Sequence, residues 1–344
     1  MDGLQKMNET VNVCLIGAGR AGMIHGNNFK SRVPNAKIVA VVDPFEEACV
    51  KACEELEINR YYTDYREMLR QDDIHAVIVV SPTKFHRDIV VDCANAGKHI
   101  LCEKPMAMTV EECEAMNAAA EKNRVKLQVG FMRRFDESFQ KARAQIQSGA
   151  IGEIVHIRSL THGPSKPREW MYDIEISNGP LAEVNSHDID CVRWLAESEI
   201  DSLYAIAGNY RNKEVAAAYP DFYDNVVMTG TFQNGIQFTI EGAQYVGYGY
   251  DARVEVLGTK GVVFIGRTDA YHYQTVTETA GTETPFISSW TTLFKDAYLE
   301  EDIQFVRCIL EDTKPAVTGE DGKMAVAVVK AGNRSIKEKS IIKL

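Results

Sequence analysis

The amino-acid sequence predicts an α/β fold in two parts: a doubly wound parallel half, then an α+β half built on a large, mostly antiparallel sheet. Two observations predict the first part. A buried strand at 11–16 runs straight into a glycine-rich turn, and short apolar runs then alternate with helical segments as far as Gly149. One observation predicts the second: beyond Gly149 the chain turns to longer runs rich in β-branched and aromatic residues, broken by hairpin turns. A chain of 344 residues is long for a single core. Two domains are therefore expected, 9–130 and 131–344, with the C-terminal segment able to pack back on the first.

In the first half the strand at 11–16 meets Gly17-Ala18-Gly19-Arg20-Ala21-Gly22, a helix follows at 21–29, and a second strand at 37–42 ends in Asp43. Strand, glycines, helix, strand and acid in this order predict a Rossmann dinucleotide-binding domain. Gly17 permits the tight turn, Gly19 lets backbone approach a pyrophosphate, and Gly22 lets helix and strand pack closely. The N–H groups of Arg20 and Ala21 at the helix start then face the phosphates. Asp43 is expected to accept hydrogen bonds from both ribose hydroxyls, and its charge repels a 2′-phosphate, so NAD is favoured over NADP.

The alternation continues with a helix at 46–56, a short strand at 61–62, a short helix at 65–70 and a fully buried strand at 76–80. That strand ends in the loop Ser81-Pro82-Thr83-Lys84-Phe85-His86, at the carboxyl edge where ligands bind in such sheets. A helix at 87–96 leads to a strand at 99–102, which delivers Glu103-Lys104-Pro105. The cofactor is thus expected along Gly17, Gly19, Arg20, Ala21, Gly22, Asp43, Ser81, Pro82, Thr83, His86, Glu103 and Lys104. A helix at 109–124, a strand at 126–130 and a helix at 136–148 close or leave the domain, with Phe131-Met132-Arg133-Arg134-Phe135 between the last two.

In the second half, a strand at 153–161 precedes an irregular loop at 163–168 and the aromatic segment Glu169-Trp170-Met171-Tyr172-Asp173, which is able to line a pocket. The stretch 179–195 then reads as one helix, with Pro180 at its first turn and Glu183, His187, Asp190 and Trp194 along one stripe. On spacing alone it is equally an ordinary amphipathic helix. Runs at 226–232 and 236–240 flank Gln233-Asn234-Gly235, and runs at 253–257 and 262–265 flank Gly258-Thr259-Lys260-Gly261; both are hairpins. Helices follow at 298–310 and 322–334, and Ile341-Ile342 can return as a strand.

Composition removes several classes of function. A formal charge of -11 without any basic tract argues against nucleic acid and anionic membrane surfaces, and no apolar run is long enough to span a bilayer. Residues 1–10 lack the pattern of an export signal. The eight cysteines, at 14, 49, 53, 93, 102, 113, 191 and 308, form no framework, so free thiols in a reducing cytoplasm are expected. Cys49 and Cys53 share a helix face but lack further ligands nearby, and no metal is expected.

Four motifs carry a resemblance: Gly17-Ala18-Gly19-Arg20-Ala21-Gly22; Glu103-Lys104-Pro105; Val129-Gly130-Phe131-Met132-Arg133-Arg134-Phe135; and Glu183-x-x-x-His187-x-x-Asp190. With them the chain resembles the Gfo/Idh/MocA oxidoreductases over nearly its full length. The resemblance implies an NAD(P)-dependent oxidation of a ring hydroxyl of a sugar, glycoside or cyclitol, by a homo-oligomer (dimer or tetramer). In members similar to inositol dehydrogenase, the lysine of the E-K-P motif, an Asp and a His four residues later form the catalytic group. Lys104 and His187 match, while Glu183 stands where those members carry Asp. The run 185–190, with Trp170 before it and Asp221-Phe222-Tyr223-Asp224-Asn225 after it, looks more like glycoside 3-dehydrogenase members. The expected reaction is therefore oxidation at C3 of a glucosyl unit; an inositol 2-dehydrogenase and a redox-neutral NAD-dependent glycosidase are the alternatives.

Residue chemistry agrees with that implication. His187 has the intrinsic pKa to take a hydroxyl proton near neutrality as hydride leaves the carbinol carbon. Lys104 would stabilise the developing alkoxide. Glu183 either holds a neighbouring substrate hydroxyl or orients His187. Arg133, His162, Trp170, Tyr172 and Asn185 are candidates for the remaining substrate contacts.

Overall fold

The structure, a computed structural model, describes residues 10–271, 274–277 and 281–344. Residues 1–9, nearly all of the stretch in which no export signal was read, lie outside the described residues. The chain divides into two compact units. The first runs to Phe135 and takes back Asp296–Met324; the second comprises Asp136–Lys295 and Ala325–Leu344. The 3-10 turn Met132–Phe135, buried throughout, belongs to the first unit.

Unit one is a six-stranded parallel sheet of β1 (Val11–Ile16), β2 (Ala36–Val42), β3 (Tyr61–Tyr62), β4 (Ala76–Val79), β5 (His99–Glu103) and β6 (Leu127–Gly130). The strand order β3-β2-β1-β4-β5-β6 reverses direction between β1 and β4, the topological switch point at which such sheets open a ligand crevice. β4 is buried on both faces, which explains why Ala76, Val77, Ile78 and Val79 read as a continuous apolar run rather than an alternating one. The helix Arg20–Ser31 covers β1 and β2 and sets Phe29 into a core with Val13, Leu15 and Val41. The returning helix Lys295–Leu310 adds Phe305 and Val306 to that core. Gln128 Nε2 donates to the Glu301 carbonyl at 3.1 Å, and Arg134 pairs with Asp321 at 2.8 Å. Arg134 is thereby a structural cation, and the Arg134 side of the family motif is tied to the returning segment.

Unit two is a seven-stranded sheet in the order β12-β11-β7-β10-β9-β8-β15. Its strands are β7 (Ile154–Gly163), β8 (Ile200–Gly208), β9 (Asn225–Phe232), β10 (Gln237–Gln244), β11 (Asp251–Gly258), β12 (Val262–Ile265) and β15 (Ile342–Lys343); β13 (Thr275–Thr277) and β14 (Gly281–Glu283) form a separate hairpin. Only β10 and β7 pair in parallel; the other pairings in this sheet are antiparallel. Both expected hairpins are present, the first turning at Gly235 with φ +86°. The terminal strand pairs with β8, which was absent from the sequence reading.

The stretch 179–195 is not the single helix expected. It forms Gly179–Glu183 and then Ser186–Ala196, separated by Val184 and Asn185. The N–H groups of Val184 and Asn185 both turn back to the Pro180 carbonyl, at 2.8 and 3.2 Å, ending the first helix. Asn185 is drawn out of helical register by tertiary contacts: its Nδ2 donates to the β10 carbonyl of Glu241 at 3.0 Å and to Asp188 Oδ2 at 2.8 Å. A Cβ at Gly242 would lie 1.9 Å from Asn185 Oδ1, so this approach requires glycine. The second helix then buries Ile189, Val192 and Leu195. At about 1.5–3 kcal/mol for each large aliphatic side chain, this apolar face anchors the segment.

Candidate active site

In unit one the residues expected to hold a dinucleotide collect at the carboxyl ends of β1, β2, β4 and β5. Gly17 follows β1 with φ +104°, and a Cβ there would stand 2.7 Å from the Val80 carbonyl oxygen. A Cβ at Gly22 would lie 2.0 Å from the Gly17 carbonyl oxygen, so the helix can pass this close only as glycine. Gly19 differs from both: nothing lies within 4 Å of its Cβ position. It is also the N-cap of the helix Arg20–Ser31, with no side chain capping the first turn. The N–H groups of that turn, at the positive end of the helix dipole, suit a pyrophosphate.

Asp43 follows β2 beside this turn. Its Oδ2 accepts the Ala18 N–H at 2.9 Å and its Oδ1 accepts the Phe45 N–H at 3.0 Å. The carboxylate is thus oriented by backbone, with lone pairs to spare for a diol. Beyond β4, Ser81 has a buried hydroxyl oxygen with no hydrogen-bond partner among the described residues, Pro82 is exposed, and Thr83 opens a short 3-10 turn. Open glycine, oriented acid and idle hydroxyl all fit a dinucleotide.

His86 plays another part than the cofactor contact expected of it. It is buried, its Nε2 lies 2.7 Å from the Ser81 carbonyl and its Nδ1 lies 3.0 Å from that of Pro105. Burial pushes its pKa down despite these carbonyls. The ring lies between the loops after β4 and β5, its neutral form donating to one of these carbonyls, and both nitrogens face scaffold. Glu103 likewise faces inward: its Oε2 accepts the N–H of Lys104 at 2.9 Å and its Oε1 faces His25. Lys104 itself is half-buried at the end of β5, and Arg133 in the following 3-10 turn is buried.

In unit two, Glu183 ends the first short helix and His187 sits in the first turn of the next. They flank the break, so the shared helix face predicted from i, i+4 spacing does not exist. His187 is buried and Glu183 half-buried. Asp188, fully buried, fixes this turn: it accepts from Ser159 of β7 at 2.6 Å and from Asn185. Asn185, expected among the substrate contacts, is held by scaffold at its amide nitrogen, while its buried Oδ1 has no hydrogen-bond partner among the described residues.

The remaining candidates are spread around the same unit. Tyr172 is buried in an aromatic cluster, edge-on to Phe222 with centroids 4.9 Å apart and near Tyr219. Trp170 is 41% exposed. His162, half-buried at the end of β7, hydrogen-bonds Tyr248, whose hydroxyl donates to Asp251 at 3.3 Å. Burial lowers the His162 pKa and pushes the Tyr248 hydroxyl up to about 12, so both are neutral near pH 7. Asp224, fully buried, accepts the N–H groups of Tyr210, Arg211 and Asn212 and orders that loop.

Sequence reasoning missed His25 and Asp302, which are buried against each other and against Glu103. The available signal was polar: His25 and Asn28 occupy the covered side of a helix whose other covered residues are glycine and Phe29.

Comparison with known proteins agrees with this arrangement. Residues 11–131 match the family model described as oxidoreductase family, NAD-binding Rossmann fold, and 139–264 match the Gfo/Idh/MocA C-terminal domain. The chain belongs to the Gfo/Idh/MocA oxidoreductase family. It is an NAD-dependent dehydrogenase acting on CH–OH groups. It is 31% identical over 330 residues to myo-inositol 2-dehydrogenase of Thermotoga maritima, covering 96% of this chain and 97% of that protein. With scyllo-inositol 2-dehydrogenase (NAD(+)) of Bacillus subtilis it shares 32% over 331 residues, 96% and 95% of the two chains. The crystal structure of scyllo-inositol dehydrogenase from Lactobacillus casei with bound NAD(H) and scyllo-inositol superposes with a TM-score of 0.88 at 26% identity, covering 97% and 99%. Among the described residues, no helix is long and apolar enough to cross a membrane.

Proposed function

We propose that the protein oxidises a secondary ring hydroxyl of an inositol to the corresponding ketone, passing hydride to NAD. The observation that carries this reading is the end-to-end likeness of the chain to enzymes named for inositols, at 31–32% identity. It favours the cyclitol over the glucosyl C3 oxidation expected from the 185–190 stretch.

His187 takes the hydroxyl proton. The Lys104 ammonium steadies the oxygen as it becomes more negative. Glu183 supplies a carboxylate acceptor for a neighbouring ring hydroxyl, and Arg133 and His162 remain candidates for others. NAD is preferred to NADP because Asp43, oriented by Ala18 and Phe45, keeps a negative charge beside the glycine turn. A dimer or tetramer is part of the same reading, since it would cover Ile206 and Phe264, which are 54% and 71% exposed on the sheet of unit two; light scattering checks it.

The test is a panel of myo-, scyllo- and chiro-inositol against glucosides, with NAD and NADP side by side, read by absorbance of the reduced nicotinamide. Turnover of at least one inositol, with glucosides inert, is expected. Formation of 3-keto-glucosides with inositols inert would overturn the reading, as would release of sugar with no net NADH.

A further inference from the structure

The buried cluster around His25 has no part in cofactor or substrate binding as described. His25 is fully buried in the helix Arg20–Ser31, with its Nδ1 2.7 Å from Asp302 Oδ1 and its Nε2 3.3 Å from Glu103 Oε1. The second oxygen of Asp302 accepts Asn28 Nδ2 at 2.9 Å, and the second oxygen of Glu103 accepts the N–H of Lys104 at 2.9 Å. Tyr298 packs edge-on against the imidazole, centroids 5.4 Å apart. Glu301, also buried, brings a third carboxylate within 4.8 Å. These groups come from three separate elements: the helix Arg20–Ser31, the end of β5, and the returning helix Lys295–Leu310.

Burial also raises the Asp302 pKa, and between ionised carboxylates, which only accept, the imidazole donates from both nitrogens and carries a positive charge. Burial opposes that charge, but the attraction and hydrogen bonds of Asp302 and Glu103 outweigh it and hold the His25 pKa well above its ordinary value. The β6 neighbour of Glu103 is Gly130, where a Cβ would lie 3.0 Å from the Glu103 carboxyl carbon. The fold thus makes room for this carboxylate and fixes both its oxygens, although Glu103 precedes a residue whose ammonium is proposed to do chemistry.

We propose that Asp302, His25 and Glu103 form a buried positioning relay that holds the backbone N–H of Lys104, and with it the lysine at the carboxyl end of β5. The proposal rests on the reading of Lys104 given above. None of the three relay residues touches substrate. Their effect reaches the reaction through the place of one side chain, whereas a purely structural cluster would act on folding alone.

The test compares His25→Gln, Asp302→Asn and Glu103→Gln with wild type, using the full-length protein with NAD. Two readouts are needed: steady-state kinetics on the inositol panel, and the amide resonance of Lys104 in ¹⁵N-lysine-labelled protein. Expected are a displaced Lys104 amide in each variant, kcat lower by about 10–100-fold, NAD affinity within about threefold, and no further loss when His25→Gln is added to Lys104→Ala. Glu103→Gln keeps shape and one acceptor oxygen, so it reports even if His25→Gln folds poorly. An unmoved Lys104 amide would overturn the relay, as would an equal loss from His25→Gln in the Lys104→Ala background. So would a stoichiometric divalent metal in the purified protein, because the ion would then sit between His25, Glu103 and Glu301. A wild type that oxidises nothing in the panel overturns the functional reading instead, and the amide resonance then decides the relay by itself.

Discussion

The turn after β1 and the break at 184–185 both present groups proposed to act in one reaction, yet they are held by different means. Around Gly17, Gly19 and Gly22 the geometry is backbone: a positive φ, an absent Cβ, and an uncapped helix start. Around Glu183 and His187 it is side chains: Asn185 and Asp188 bridge the turn to Glu241 and Ser159 on the sheet. Backbone devices leave a fixed spacing in the sequence. Side-chain bridges leave only polar residues whose partners are remote in the chain.

The sharpest way to test that contrast is to remove one chemical group from each side. Lys104→Ala and His187→Ala are each expected to lower kcat by about 10²–10⁴-fold, with NAD affinity changed only a few-fold. Stopped-flow measurement of NAD binding beside steady-state turnover checks this. Glu183→Gln separates the two roles left open for Glu183: a rise in KM with kcat nearly intact marks a substrate contact, whereas a fall in kcat at constant KM marks an orienting role for His187.

Next in size are changes to the two supporting devices. Gly22→Ala puts a methyl 2.0 Å from the Gly17 carbonyl, so NAD affinity is expected to fall by at least about tenfold, alongside about 1–3 kcal/mol of stability. Asn185→Ala removes the donor to Asp188 and to the Glu241 carbonyl and is expected to cost about 1–3 kcal/mol with lower turnover, leaving NAD affinity intact. Calorimetry of NAD binding and urea unfolding of both variants would break the comparison if the two patterns were exchanged.

This contrast also explains what was legible in advance. The order of strand, glycine turn, helix and Asp43 was readable because each part obeys a local rule, and so was the delivery of Lys104 by β5. The break at Asn185 was not, since the residue suits a helix by pattern and only its bond to β10 removes it from one. His86 and Asn185 look like ligands by type, but residue type does not say that carbonyls and Asp188 already hold their nitrogens. β8 escaped notice because Tyr204 and Ile206 on its open face are as apolar as Leu203 and Ala205 on its covered one, which erases the period-two signal.

A smaller effect is expected at Asp43. Asp43→Ala removes a charge that disfavours a 2′-phosphate, and the ratio of NADP to NAD use is expected to rise by about tenfold. An unchanged ratio in paired kcat/KM measurements would take the cofactor preference away from this residue and leave it a tie between Ala18 and Phe45.

The smallest effect concerns pH and sets the His25 cluster against both devices above, because there the holding force is charge. The native pKa of His25 is held above its unfolded value of about 6.5. The protonated ring therefore contributes stability that is fully present below about pH 6.5 and is lost as the pH rises through the native pKa. Wild-type resistance to urea should decline across that alkaline window, and His25→Gln, less stable at neutral pH, should show a flatter profile there. The titratable groups facing the ring are Asp302, Glu301 and Tyr298 from the returning helix and Glu103 from β5. Asp302→Asn should therefore flatten the profile in the same direction, while Asp296→Asn, on the exposed side of that helix, should leave its slope unchanged. Equal slopes in wild type and His25→Gln would mean that the imidazole is neutral in the native protein.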